Sequence, residues 1–197
     1  MIRFFCLLFL FPLYSFSQQL TVWNPQLDKL TANDWLVKPV TDKAGIYESS
    51  DKKNIILYNG LLKRSFRISP NVACVDFKNM SNGQQLLRAI KPEARITIDN
   101  TVYNIGGLYG QDENAYLLPE WIDDFKAGDN DFHFVKFETG NLQPFLQWKN
   151  KTWASNEHQP TGKIISFIYQ SPVAALRDIV VKVNYELYDG IYTTAFR

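Results

Sequence analysis

Short runs of residues alternate between apolar and polar with a period of two, and turn dipeptides separate them; no other feature restricts the fold so tightly. In Leu62-Lys63-Arg64-Ser65-Phe66-Arg67-Ile68, the residues Leu62, Arg64, Phe66 and Ile68 share one side, and Lys63, Ser65 and Arg67 share the other. A helix repeats every 3.6 residues and cannot keep such a pattern on one face. Ahead of this run, Asn54 to Asn59 is also β-prone. Asn59-Gly60 joins the two, and both residues tolerate positive φ, so a hairpin is predicted. The same reasoning predicts strands over 46–48, 72–77, 85–89, 93–98, 101–105, 132–138, 163–169 and 179–188. Asp99-Asn100 reads as a second two-residue hairpin turn. Ser69-Pro70-Asn71 and Asn79 to Gly83 read as further turns. No stretch carries the stripe of an amphipathic helix of three turns. The chain therefore reads as all-β, an antiparallel β-sandwich over 43–197 with no internal repeat or domain boundary. Arg64 is out of place on its apolar side. Its charge there predicts either a carboxylate partner or a bulge in the strand.

The first residues do not belong to this pattern. Met1-Ile2-Arg3 is a short basic start, Phe4 to Leu13 is almost wholly apolar, and Ser15 and Ser17 supply a small-x-small site. These are the three parts of a signal peptide, residues 1–17, with cleavage near Ser17 and export to the periplasm or the exterior. A membrane span needs roughly 20 apolar residues, and Phe4 to Phe16 is shorter. An anchoring cysteine follows the apolar run in a lipoprotein, whereas Cys6 lies near its start. Removing 1–17 from the 197 residues leaves 180, with Cys74 as the sole cysteine. No internal disulfide is then possible, and burial must stabilise the fold. Cys74 lies in the strand-like run Asn71 to Phe77 and reads as a buried, inert thiol. Residues 18–42 form an irregular lead-in, which Trp23 and Trp35 are expected to pin to a later surface.

Composition excludes several classes. The chain is 46% hydrophobic and 21% charged, too apolar for disorder. Lys and Arg number 21 against 20 Asp and Glu, which gives no electrostatic footprint for nucleic acid. Aromatic residues make up 15% of it, and six of them (Phe4, Phe5, Phe9, Phe11, Tyr14, Phe16) fall in the predicted leader. The informative remainder is local. The glycine-led segment Gly106-Gly107-Leu108-Tyr109-Gly110 opens a long loop that contains Tyr116, Glu120, Trp121, Asp123 and Asp124, with Asp112 and Glu113 nearby. A short helical turn is expected from Pro119 to Asp124, with proline early in the turn. Long aromatic loops on a β scaffold tend to be functional. Tyr109, Tyr116 and Trp121 suit stacking on the apolar face of a sugar, with Glu120 or Asp123 accepting from its hydroxyls. The competing role for Tyr116 and Trp121 is to cap one end of the core. A second long connection, 140–161, carries Trp148, Trp153 and His158. Asp129-Asn130-Asp131 lacks the spacing of a calcium loop and reads as a turn. Asn79-Met80-Ser81 and Asn150-Lys151-Thr152 match the glycosylation acceptor. No metal-spaced cluster, nucleotide fingerprint or catalytic constellation emerges, so no metal, cofactor or catalytic residue is assigned.

Several motifs carry a resemblance. They are Asn59-Gly60-Leu61-Leu62 with Arg64 and Phe66-Arg67, then Ser69-Pro70-Asn71, and Leu86-Leu87-Arg88-Ala89 followed by Pro92-Glu93-Ala94. Gly107-Leu108-Tyr109-Gly110-Gln111, Tyr116-Leu117-Leu118-Pro119-Glu120-Trp121 and Tyr185-Glu186-Leu187-Tyr188-Asp189-Gly190-Ile191 complete the set. In this order, over roughly Lys53 to Tyr192, the chain resembles the opening of secreted α-galactosidase-like glycoside hydrolases related to family 36. The resemblance implies an N-terminal β-supersandwich that precedes a catalytic TIM barrel. The family's catalytic aspartates lie in that barrel, so none is carried over to this chain. The β-prone end, Asp189 to Arg197, leads us to expect a sandwich whose partner strands follow, as in a piece of a longer protein. The expected function is then a non-catalytic sandwich that shapes substrate access, with galactoside-containing glycan and the barrel as partners. A free-standing secreted carbohydrate-binding or interaction module is the alternative.

Overall fold

The computed structural model of the protein describes residues 19–30, 34, 37–87, 89–113, 116–143, 160–191 and 194–197. The alternating runs form strands β1 (Thr21–Val22), β2 (Gly45–Glu48), β3 (Asn54–Tyr58), β4 (Leu62–Arg67), β5 (Ala73–Asn79) and β6 (Gln85–Leu87). These are followed by β7 (Ala94–Ile98), β8 (Thr101–Ile105), β9 (His133–Asn141), β10 (Gly162–Gln170), β11 (Val180–Tyr188) and β12 (Thr194–Phe196). The helices among the described residues are single 3-10 segments: η1 (Pro25–Asp28), η2 (Pro119–Asp124) and η3 (Ala174–Leu176). The first six strands make one sheet in chain order. The second sheet runs β12-β11-β10-β9, and β7-β8 is a separate hairpin. All of these pairs are antiparallel except β1 with β2, which is parallel. The fold is thus all-β and sandwich-like, as the period of two predicts.

Turn chemistry sets the hairpins. Gly60 takes φ of 83°, which a side chain would strain, and the Asn59 N–H donates to the Leu62 carbonyl at 3.2 Å. Asp99 and Asn100 both take positive φ, 48° and 64°, so β7 and β8 close through a two-residue turn. β5 and β9 run two and three residues past their predicted ends. β5 continues to Asn79 because Asn79 still pairs with Leu62, and β9 continues to Asn141 because Asn141 pairs with Lys163.

The inner faces of the two sheets meet in one core. Ile55, Leu57 and Phe66 from the first sheet pack with Ile165, Phe167, Tyr169, Val183 and Tyr185 from the second. The Phe66 ring lies 5.0 Å from Phe167 and 4.7 Å from Tyr185. Burying one such ring is worth about 1.5–3 kcal/mol, and each ring pair adds about 0.5–1.5 kcal/mol. Cys74 sits in this core as a free, buried thiol, as predicted.

Arg64 keeps its phase with Phe66 and points to the same side. The register slips beside it, with Ser65 opposite Asp76 and Phe66 opposite Cys74. The extra residue is Val75, so the bulge lies in β5, the neighbouring strand.

The lead-in is less irregular than its sequence suggests. β1 adds to the edge of β2, and Trp23 packs edge-on against Tyr47 at 5.3 Å and Tyr58 at 5.2 Å. Asp28 accepts from Trp23 Nε1 and pairs with Lys63, whose ammonium lies 5.3 Å from the centre of the Trp23 ring. Trp23 thus pins this segment; Trp35 lies outside the described residues.

Asn59 ties the hairpin turn to the far sheet. It is fully buried. Its Nδ2 donates to the carbonyls of Tyr188 and Ile191, at 2.8 and 3.0 Å, and its Oδ1 accepts from the amides of Leu61 and Leu62. Asn59→Ala leaves those groups buried without partners and should cost about 2–4 kcal/mol. Urea unfolding checks this: the midpoint should fall with an unchanged slope.

Candidate functional site

The loop from Gly106 to Phe125 is fastened to the sandwich near both its ends. The Gly107 N–H donates to the Val72 carbonyl at 2.6 Å, and a side chain at Gly107 would strike the Pro92 backbone at 2.7 Å. The Leu108 N–H donates to the Ile90 carbonyl, and Tyr109 and Lys126 exchange both backbone bonds, at 2.8 and 3.0 Å. Leu108 and Phe125 join Ala73 and Ile90 in a second small core, with Leu117, Trp121 and Ile122 packed at its edge.

The five candidate residues divide between display and anchoring. Tyr109 is 47% exposed. Its hydroxyl donates to Asp131 at 2.7 Å and accepts from Asn104 Nδ2 at 2.7 Å. The bond to Asp131 holds the phenol proton and raises its pKa. Tyr116 is 59% exposed and lines a groove of about 460 Å³ with Val75, Leu87, Leu117, Pro119 and Ile122. Glu120 is exposed on η2. Trp121 is half-buried against the second core, so the capping role falls to it. Asp123 accepts from Lys53 Nζ at 2.7 Å and from Arg67 Nη2. The Lys53 bond, with Arg67 beside it, holds that carboxyl below the usual range. Asp123 therefore fastens η2 to the first sheet. Pro119 opens η2 at its N-terminus, as expected. Asp131 closes a turn on Gly128, in keeping with the reading of Asp129 to Asp131. Trp148, Trp153 and His158 lie outside the described residues.

A second constellation was only half visible in the sequence. Arg64, Cys74, Leu87, Lys91, Glu93 and Tyr185 are among the residues around a cavity of about 170 Å³. Arg64 Nε donates to Cys74 Sγ at 3.1 Å. Its guanidinium lies 4.5 Å from the Tyr185 ring centre, 5.0 Å from Phe77 and 5.2 Å from Phe66. The Cys74 N–H donates to Glu93 Oε1 at 3.0 Å. Burial pushes the Glu93 carboxyl up to about 7, and the nearby Arg64 charge offsets only part of that rise. Burial also pushes the Cys74 thiol up to about 12, so it stays protonated and inert. The misfit of Arg64 is the signal that finds this site. Nothing in the local pattern marks Glu93, which stands one residue before β7.

Among the described residues, no group of three or more His, Cys, Asp or Glu is placed to hold a metal, and no helix is long and apolar enough to cross a membrane.

Glu93 gives the fold a pH dependence. Its carboxyl titrates near 4.5 when unperturbed and near 7 in the fold, so the folded state favours the protonated form. The group imposes no penalty below its unperturbed value; the penalty grows as pH rises from there to about 7 and is fully present above it. The thermal midpoint should fall between about pH 5 and about pH 8, and Glu93→Gln should flatten that fall. No protein-family model matches the chain, and no curated protein and no solved structure matches it.

Proposed function

We propose that this chain is the non-catalytic N-terminal β-sandwich portion of an exported α-galactosidase-like glycoside hydrolase. In this reading it shapes substrate access for a following catalytic barrel and packs against it. One observation carries the proposal: the loop is fixed to the sandwich while Tyr109 and Tyr116 remain on its surface, Tyr116 beside the groove. A fixed exposed ring stacks on the C–H face of a sugar without an ordering cost. The groove, at about 460 Å³, falls within the usual range for small-ligand sites. The roles of the motif residues support a scaffold. Asn59 reaches Tyr188 and Ile191, and Arg64 stacks on Tyr185. Residues far apart in the resemblance thus meet in pairs that hold the fold.

The ligand in this reading is a galactoside-containing glycan, and the test is titration of the protein with an α-galactoside oligosaccharide. Tyr116→Ala should weaken binding about five- to tenfold with an unchanged thermal midpoint, since the ring is exposed. Unchanged affinity in both Tyr116→Ala and Tyr109→Ala would contradict the proposal. Trp121→Ala should instead cost about 1–3 kcal/mol of stability through lost burial. Robust turnover of a nitrophenyl α-galactoside by this chain alone would overturn the non-catalytic role.

A further inference from the structure

An arginine on the inner side of a sheet ordinarily pairs with a carboxylate, because an unpaired buried charge is costly. Arg64 does not. None of the ion pairs among the described residues includes it, and only its Nε bonds a described residue, the Cys74 sulfur. Its two Nη groups hydrogen-bond no described residue, and the side chain lines the cavity of about 170 Å³. The carboxylate nearest in effect, Glu93, stands beyond ion-pair distance and has one oxygen occupied by the Cys74 amide. The fork is nevertheless held in place. Tyr185, Phe77 and Phe66 surround the guanidinium, and Tyr185 is itself fixed against Phe66 and Phe167. Lys91, exposed on the surface, adds a second cation to the lining, and Leu87 and Ala89 add an apolar wall.

We propose that this cavity binds a small carboxylate, gripped by the Arg64 fork. The fork matches a carboxylate in bidentate geometry. The aromatic clamp removes the cost of ordering a long side chain. Size limits the ligand. The cavity exceeds the roughly 30 Å³ of one water and falls short of the roughly 300 Å³ of a drug-sized site. Glu93 sets the pH response. The Arg64 charge from β4 and the Cys74 amide from β5 act on it, and it in turn raises Cys74 and Tyr169, the latter from β10. Burial raises both Cys74 and Tyr169, so they stay protonated at neutral pH. Below its pKa, Glu93 is neutral and can donate its proton to the bound anion. Above it, the two anions repel. The inference does not depend on the glycosidase reading.

The test is titration of the full chain with sodium acetate, against sodium chloride at equal ionic strength, followed by amide NMR shifts. Saturable acetate shifts centred on Arg64, Cys74 and Glu93, absent with chloride, are expected. Arg64→Lys, which keeps the charge but loses the fork, should weaken acetate binding about tenfold. Acetate should bind more weakly at about pH 8 than at about pH 6. Glu93→Gln, which preserves size and a hydrogen-bond donor, should bind acetate equally at both. Should Arg64→Lys fail to fold, this pH comparison between the native chain and Glu93→Gln decides the matter. Acetate shifts that match those of chloride, wild-type affinity in Arg64→Lys, or binding with no pH dependence in the native chain would each overturn the proposal.

Discussion

The contact of Phe66 with Phe167 and Tyr185 joins the two sheets, and the other features of the molecule are arranged around it. The described residues contain one cysteine, free and buried, and so no disulfide. Apolar burial between sheets must then supply most of the stability. Phe66 belongs to β4 and Phe167 and Tyr185 to β10 and β11, so one triple contact spans both layers. The same rings define where Arg64 can lie. The bulge at Val75 in β5 accompanies the register slip from Phe77 opposite Arg64 to Cys74 opposite Phe66. Packing of the core and placement of a charge at its edge are thus one arrangement.

The aromatic loop depends on the first sheet in a similar way. Val72 and Ile90 accept the amides of Gly107 and Leu108, and Lys53 and Arg67 hold Asp123. Exposed ion pairs are worth little singly. The Arg67 side chain, however, is largely buried, and Trp121 and Phe125 add apolar contact on the same segment. The loop therefore acts as an extension of the sandwich. What it leaves on the outside, Tyr109 and Tyr116, is displayed by a fixed support.

Local chemistry made much of this legible in the sequence. Asn59-Gly60 and Asp99-Asn100 mark their hairpins because positive φ is a property of those residues. Pro119 marks η2 because its fixed φ suits a helix start. The rest depends on partners distant in sequence. β1 is a strand only through its pairing with β2, more than twenty residues away. Asp123 reads as a sugar acceptor until Lys53 and Arg67 arrive from the far side of the chain. Arg64 was visible as a misfit, since parity is local. The standing-off of Glu93 was not, because it follows from how the approach to β7 packs against β5.

A fixed loop differs from a mobile one in a way that amide hydrogen exchange reads directly. In the native chain, the amides of Gly107, Leu108, Tyr109 and Lys126 should exchange as slowly as those of the β3–β4 hairpin, because each donates to a backbone carbonyl of the sandwich or its loop. Exchange of these four amides at the rate of an unstructured peptide, with β3 and β4 still protected, would contradict the picture of a preformed surface.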